Sequence, residues 1–360
     1  MTVTRRVWLL AIISALFLSA AGPASRPAAA QTGYGLTFLR KVGSSAGSVL
    51  ALPDGVAFSE GSTLRLYDPT GANPLGSLTL PCGIGGLGLV GNTIIASTCD
   101  GLAVINITNR TAPALVRAMA LDPAICPLEE EAVPIGVAAS GDYAYVGLWT
   151  SGCVLNWQTG QTLSNIGEWV TDLQVYQGHL FTLEEHSTYD EEVVVHSGLP
   201  APVKEDEVEV QYYTNDFAVA ADKVFSTATG PENAGLCAAA WDPDPSQSGA
   251  RLDCLYTDDA GATGVAAAAD SVRGDNVFTV RSGQLRWVKS AGETDLAEVA
   301  SAPYAATVND LGTGGGQYVY AAGSDGLSIF RFQHPAVAPP PDPAPNYTQS
   351  VYLPLARFGP

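Results

Sequence analysis

Gly141-Asp142-Tyr143-Ala144-Tyr145-Val146-Gly147 is the stretch from which the fold can be read. A Gly-Asp step suits a tight turn, and the aromatic and apolar residues behind it suit a short buried strand. The phrase returns as Pro53-Asp54-Gly55-Val56-Ala57-Phe58, Gly91-Asn92-Thr93-Ile94-Ile95 and Gly178-His179-Leu180-Phe181. Further copies are Ala221-Asp222-Lys223-Val224-Phe225, Gly274-Asp275-Asn276-Val277-Phe278 and Gly316-Gln317-Tyr318-Val319-Tyr320. Steps of about 36 to 53 residues separate them, a spacing expected of β-propeller blades rather than of helical solenoids.

Each repeat divides into four strands, a to d from the axis outward. In the second, Leu87–Val90 is a, Thr93–Ser97 is b, Leu102–Ile107 is c and Ala114–Ala120 is d, with Asn109-Arg110-Thr111-Ala112-Pro113 as the c–d turn. The same template places blades at 47–81, 82–123, 124–170, 171–211, 212–257 and 258–303. The last stretch, 304–334, holds only three strands, near Ala306-Thr307-Val308, Tyr318–Ala322 and Leu327–Phe332. A surplus strand, Leu36–Val42, precedes the first blade. The expected fold is therefore an all-β, seven-bladed β-propeller of four-stranded antiparallel blades over residues 31–334, in which the surplus strand completes the last blade as its outer strand. The alternation of apolar residues in that strand is imperfect, which leaves its register open.

The flanking segments read differently. Thr4-Arg5-Arg6 followed by the apolar run Val7–Leu18 predicts a secretion signal over residues 1–30, with small residues for cleavage after Ala21 or Ala30. Thr4-Arg5-Arg6-Val7-Trp8-Leu9 also resembles a twin-arginine export signal. Residues 335–346 form a proline-rich, extended linker, and 347–360 a short tail containing Val351-Tyr352-Leu353-Pro354-Leu355, too short to span a membrane. The expected setting is outside the cytoplasm: extracellular, cell-surface or periplasmic.

The chain carries a net charge of −19. Without the three arginines of residues 1–30, 14 basic residues face 36 acidic ones, a net charge of −22. Such a surface repels nucleic acid and anionic lipid and favours cations, a cationic protein or cell-surface component, or simple solubility. Six cysteines in an exported chain predict disulfides, and none is spaced as Cys-x-x-Cys.

Gly101-Leu102-Ala103-Val104-Ile105-Asn106-Ile107-Thr108-Asn109-Arg110-Thr111-Ala112-Pro113-Ala114-Leu115-Val116 resembles the LVIVP repeat of secreted bacterial β-propellers, and residues 141–147 resemble the segment that precedes that repeat. Gly326-Leu327-Ser328-Ile329-Phe330 is a partial third match. The resemblance implies a propeller and residence outside the cytoplasm. It implies no catalytic residues, because the repeat is structural. Asn106 and Arg110 depart from it, standing where the repeat prefers Asp and Pro.

In a propeller the d–a and b–c connections share one face. Cys82 lies in a d–a link and Cys99 in the b–c loop of the next blade; Cys126 and Cys153 occupy the same two places one blade later. Cys237 opens strand c of blade five and Cys254 ends strand d. The expected disulfides are Cys82–Cys99, Cys126–Cys153 and Cys237–Cys254. The same face receives the d–a link Glu129-Glu130-Glu131, the b–c loop of blade four with Glu184, Glu185, Asp190, Glu191 and Glu192, and the loop Pro231-Glu232-Asn233. These carboxylates suit a lysine- or arginine-rich partner, or calcium. Asp172, Asp216 and Asp310 begin strands a and are candidate ligands for an ion at the channel mouth; the alternative role is to accept backbone N–H bonds at the strand start.

Enzyme signatures are scarce. There is no Gly-x-Ser-x-Gly elbow, His-Glu-x-x-His helix or phosphate loop. His179, His186, His196 and His334 show no metal-ligand spacing, and Trp149, Trp157 and Trp169 could stack on sugars or pack in the blades. The leading expectation is a non-catalytic, exported binding scaffold with an acidic, disulfide-braced face. The alternatives are an extracellular polysaccharide hydrolase or lyase, which needs two carboxyls at a set separation, and a calcium-stabilised structural module.

Overall fold

A computed structural model describes residues 33–335, except 100, 127–133, 149, 188–189, 212, 230–234, 242–252, 256–260 and 292–294. The signal at 1–30, the tail, all of the linker but Pro335, Glu129–Glu131 and Pro231-Glu232-Asn233 thus lie outside the described residues. Those described form no helix. They make seven four-stranded antiparallel sheets, six of them built from four consecutive strands.

The recurring phrase is strand b of each blade. Ala57, Ile94, Ala144, Leu180, Phe225, Phe278 and Val319 on these strands are all fully enclosed. The glycine before the strand makes the a–b hairpin turn, which requires positive φ: Gly141 sits at 56° and Gly178 at 84°. Ala221 takes this position in blade five at φ 54°. Apolar side chains from neighbouring blades interleave in seven clusters, one per seam, so the core is a ring of seams rather than a central mass.

The seventh sheet joins the two ends of the chain. Its order from the outside is Gly35–Val42, Gly326–Gln333, Tyr318–Gly323 and Val308–Gly314. Leu36 pairs with Phe332 and Val42 with Leu327, and the register shifts by one residue between Phe38 and Arg40. This bulge explains the broken alternation. It turns Leu39 and Val42 toward the seam between blades seven and one, while Phe38 stays half-exposed against Phe330, ring centroids 5.4 Å apart. Strand a of blade seven starts at Val308, two residues later than the sequence suggested, and Val170 opens blade four rather than ending blade three.

The three cysteine pairs meet as expected, with Cα separations of 6.0, 6.0 and 4.1 Å for Cys82–Cys99, Cys126–Cys153 and Cys237–Cys254. One placement differs. Cys153 lies within strand c (Ser151–Asn156), not in the b–c loop, because Ser151 already pairs with Leu148 across a turn too short to hold the cysteine. Cys237 and Cys254 are direct cross-strand partners, and the outer strand that Cys254 holds, Asp253–Leu255, is the shortest in the ring. The double variant C237S/C254S should lose about 2–4 kcal/mol of stability. Hydrogen exchange should show protection falling first in blade five; a uniform loss over all blades would contradict this account.

Candidate functional site: the axial channel and the face above it

Strands a of the seven blades line an axial channel of about 780 Å³. Near its mouth one equivalent position per blade faces the axis: Ser48, Gly86, Gly136, Asp172, Asp216, Gly264 and Asp310. In blades two to seven a register shift falls at or just before this position, and such bulges re-aim the side chain that follows. The ring is lopsided, with carboxyls on blades four, five and seven and glycine or serine elsewhere. Glycine is required where blades crowd: a Cβ at Gly86 would come within 2.8 Å of the Val137 nitrogen.

The aspartates bind neighbouring blades. Asp216 accepts the Val265 N–H at 2.7 Å and Asp310 the Val49 N–H at 2.7 Å, each from the next blade's strand a. Asp172 accepts N–H bonds from Leu173 and, across the seam, from Phe217, and it shares a hydrogen bond with Asp216. The residue before the carboxyl helps. Asn215 Nδ2 donates to the Ala262 carbonyl at 3.3 Å, and Asn309 Nδ2 to the Ala46 carbonyl at 2.7 Å. Each Asn-Asp pair therefore clamps a carbonyl and an N–H three residues apart on the adjacent blade. Blades one and two instead serve their own strand-a amides from strand b, with Ser59 Oγ accepting from Ser48 N and Ser97 Oγ from Gly86 N.

All three carboxyls line the channel, and burial there raises each of them. Burial pushes Asp172 up to about 6 and Asp310 up to about 7; Asp216 rises well above the usual carboxylate range through burial and then the charges of Asp172 and Asp310. A proton shared between Asp172 and Asp216 satisfies both. Calcium needs ionised oxygens with free lone pairs. Here Asp172 and Asp216 accept N–H groups and share a hydrogen bond, and Asp310 accepts the Val49 and Leu311 N–H groups. Among the described residues no group of three or more His, Cys, Asp or Glu is disposed to hold a metal.

The acidic segment of blade four is not a loop. Strand b runs His179–Ser187 and strand c Asp190–Ser197, pairing Glu184 with Glu192, Glu185 with Glu191 and Ser187 with Asp190. Flanking Leu183 and Val193 are buried and carry the pairing through the charged residues. Glu184 points inward. It is 4% exposed, accepts a hydrogen bond from Thr182 Oγ1 at 2.8 Å and lies 3.5 Å from His196 Nε2. The Glu191 carboxylate accepts the Thr214 N–H and also bonds the Tyr213 N–H; burial, and then the charge of Glu185, push it up. Trp157 is on the opposite face, its Nε1 bonded to the Gly141 carbonyl at 2.9 Å. Trp169 is exposed on the acidic face. His179 packs on Trp241, ring centroids 5.1 Å apart, and His334 lies 3.8 Å from Asp270. Trp149 lies outside the described residues, as do the side chains of His186 and Asp190.

No family model matches the chain, and no curated protein matches it. Among solved structures it is similar to Kuenenia stuttgartiensis hydrazine synthase, with TM-score 0.62, 12% identity, and 83% of this chain and 98% of that one covered. It is also similar to the WD40 β-propeller domain of Doa1, with TM-score 0.58, 11% identity, and 84% and 97% covered. At such identities the likeness is one of fold, and the class the ring defines is the seven-bladed β-propeller.

Because the axial carboxyls hold protons more tightly when folded than when unfolded, their stabilisation is complete below about pH 4 and is lost as pH rises through about 6 to 7. The melting temperature should accordingly fall between pH 5 and pH 8. In Asp216→Asn the amide keeps the acceptor for Val265 and donates to Asp172, imitating the protonated carboxyl. This variant should melt higher than the parent at pH 8, by on the order of 1 kcal/mol in a channel that admits screening solvent, and with a flatter pH profile. A variant less stable than the parent at pH 8 would refute the assignment.

Proposed function

We propose that this chain is a non-catalytic, exported binding scaffold whose acidic d–a face receives a positively charged protein or cell-surface component. One observation carries the reading: between Arg117 and Lys223 the sequence holds 18 acidic residues and a single basic one, Lys204. Lys204 is paired with Glu207 at the start of strand d of blade four, at the end of the blade away from the b–c hairpin. Charge of one sign on one arc of a rigid ring steers a partner of the opposite sign.

Three disulfides support an oxidising compartment, and the likeness of residues 101–116 and 141–147 to the LVIVP repeat supports the same setting. No helix among the described residues is long and apolar enough to cross a membrane. The polysaccharide hydrolase or lyase reading gains no support from the channel. Its carboxyls should stand about 5–9.5 Å apart around a substrate, whereas Asp172 and Asp216 are in direct hydrogen-bond contact and are spent on neighbouring blades.

Fluorescence anisotropy with a labelled ten-residue arginine peptide tests the reading. The chain should bind this peptide, reject its glutamate counterpart, and lose affinity steeply with added salt. Indifference to the arginine peptide at low salt would overturn it.

A further inference from the structure

Blade six buries an amine against an amide. Asn276 on strand b (Asp275–Arg281) and Lys289 on strand c (Gln284–Ala291) are direct cross-strand partners, 4% and 5% exposed. Lys289 Nζ donates to Asn276 Oδ1 at 3.1 Å and also to the Gly274 carbonyl. The matching rungs of blades two, three and seven are Thr93–Asn106, Tyr143–Asn156 and Tyr318–Arg331, none of which sets an amine against an amide. Asp275, the carboxylate beside Asn276 in the chain, is paired with Lys223 of blade five at 3.1 Å. The Lys289 nitrogen therefore meets neutral carbonyl oxygens. Burial pushes its ammonium down from the ordinary lysine range, against the opposing charges of Asp270 and Asp275, which favours the nucleophilic free amine.

The amide oxygen has a second donor. Trp287 Nε1 donates to Asn276 Oδ1 at 3.1 Å, so two donors converge on one oxygen and fix the orientation of the amide. They draw electron density from Cγ and are placed to hold the oxyanion that forms when Cγ is attacked. Trp287 is fully enclosed, with the rings of Tyr34, Phe332 and His334 at centroid distances of 5.0, 5.1 and 5.0 Å. This aromatic shell limits the water that would compete for the carbon. A nucleophile and an electrophile held together in alignment react with effective molarities of about 10⁵–10⁸ M.

We propose that Lys289 and Asn276 join through an isopeptide bond that ties strands b and c of blade six together. The Nζ lone pair attacks Cγ, the new C–N bond forms, the Cγ–Nδ2 bond breaks, and Nδ2 departs as ammonia. Overall, one lysine ammonium and one primary amide become one secondary amide and one free ammonium ion, with no oxidant or reductant. A buried charge is exchanged for a neutral group, and escape of ammonium to solvent makes the step one-way. The bond lies on the face of the blade whose next rung, Phe278 and Trp287, packs against blade seven, where the ring closes.

Tryptic mapping of the folded, full-length chain tests the proposal. Trypsin cuts after Arg273, Arg281, Arg286 and an unmodified Lys289, and the next site is Arg331. With the bond in place, cleavage after Lys289 is blocked. Peptide 274–281 is then recovered joined to 287–331, at about 17 Da (one ammonia) below the two masses together. Neither peptide contains cysteine, so disulfides do not contribute to the link. K289R should release 274–281 free, because a guanidinium stays charged and does not acylate. Recovery of 274–281 and 287–289 as separate peptides from the parent chain, both fresh and after a week in mildly alkaline buffer, refutes the bond whatever the variant does.

Discussion

The ring stands on the seam where blade seven meets blade one. Every other seam joins blades that are consecutive in the chain, whereas this one must bring residue 310 of blade seven to residue 49 of blade one, and blade seven itself must bring residue 332 to residue 36. Two devices act there at different radii. At the rim, Gly35–Val42 adds to Gly326–Gln333 as a hydrogen-bonded outer strand. At the axis, Asn309 and Asp310 clamp the Ala46 carbonyl and the Val49 amide. An open sheet edge would expose unpaired backbone groups, so the two ends of the chain are held together by the same bonds that hold any sheet together.

The axial clamp has an electrostatic consequence. Three carboxyls fixed within one channel cannot all ionise cheaply, and burial together with their mutual repulsion moves them toward neutral pH. A feature that resembles an ion site when read along the strand starts is, in three dimensions, an inter-blade lock that also holds protons. The blade-four hairpin carries a second concentration of carboxyls. There the b and c strands run past the body of the sheet and set glutamates opposite glutamates. These strands take their register from the rigid ring, while the lock below ties adjacent blades to one another.

Residues that obey a short-range periodicity are legible from the chain alone. The turn glycine and the buried pair behind it mark strand b in most blades, because a tight hairpin and an enclosed strand each impose a local rule that few residues satisfy. The three cysteine pairings follow from topology, since blade order and the alternation of faces leave those pairs adjacent. The bulges at the strand-a starts are not legible. A bulge inserts one residue without altering composition or pattern enough to mark itself, and its effect is to re-aim Asp172, Asp216 and Asp310. Glu184 belongs by its neighbours to an exposed acidic run, yet the pleat turns it inward to Thr182 and His196.

The propeller architecture, ring closure and disulfide pairing are thus legible in the sequence by itself, because each follows from repeats and from which elements must be neighbours, whereas the count of seven blades is settled by the strand pairing of the folded ring. What only the tertiary structure decided is the job of each charged and aromatic residue. Whether a carboxyl faces solvent, a backbone amide or another carboxyl depends on the neighbouring blade. The amide that meets Asp310 is 261 residues away in the chain. Likewise Lys289 reads as an ordinary surface lysine until its burial beside Asn276 is seen, since burial is set by contacts that no local pattern records.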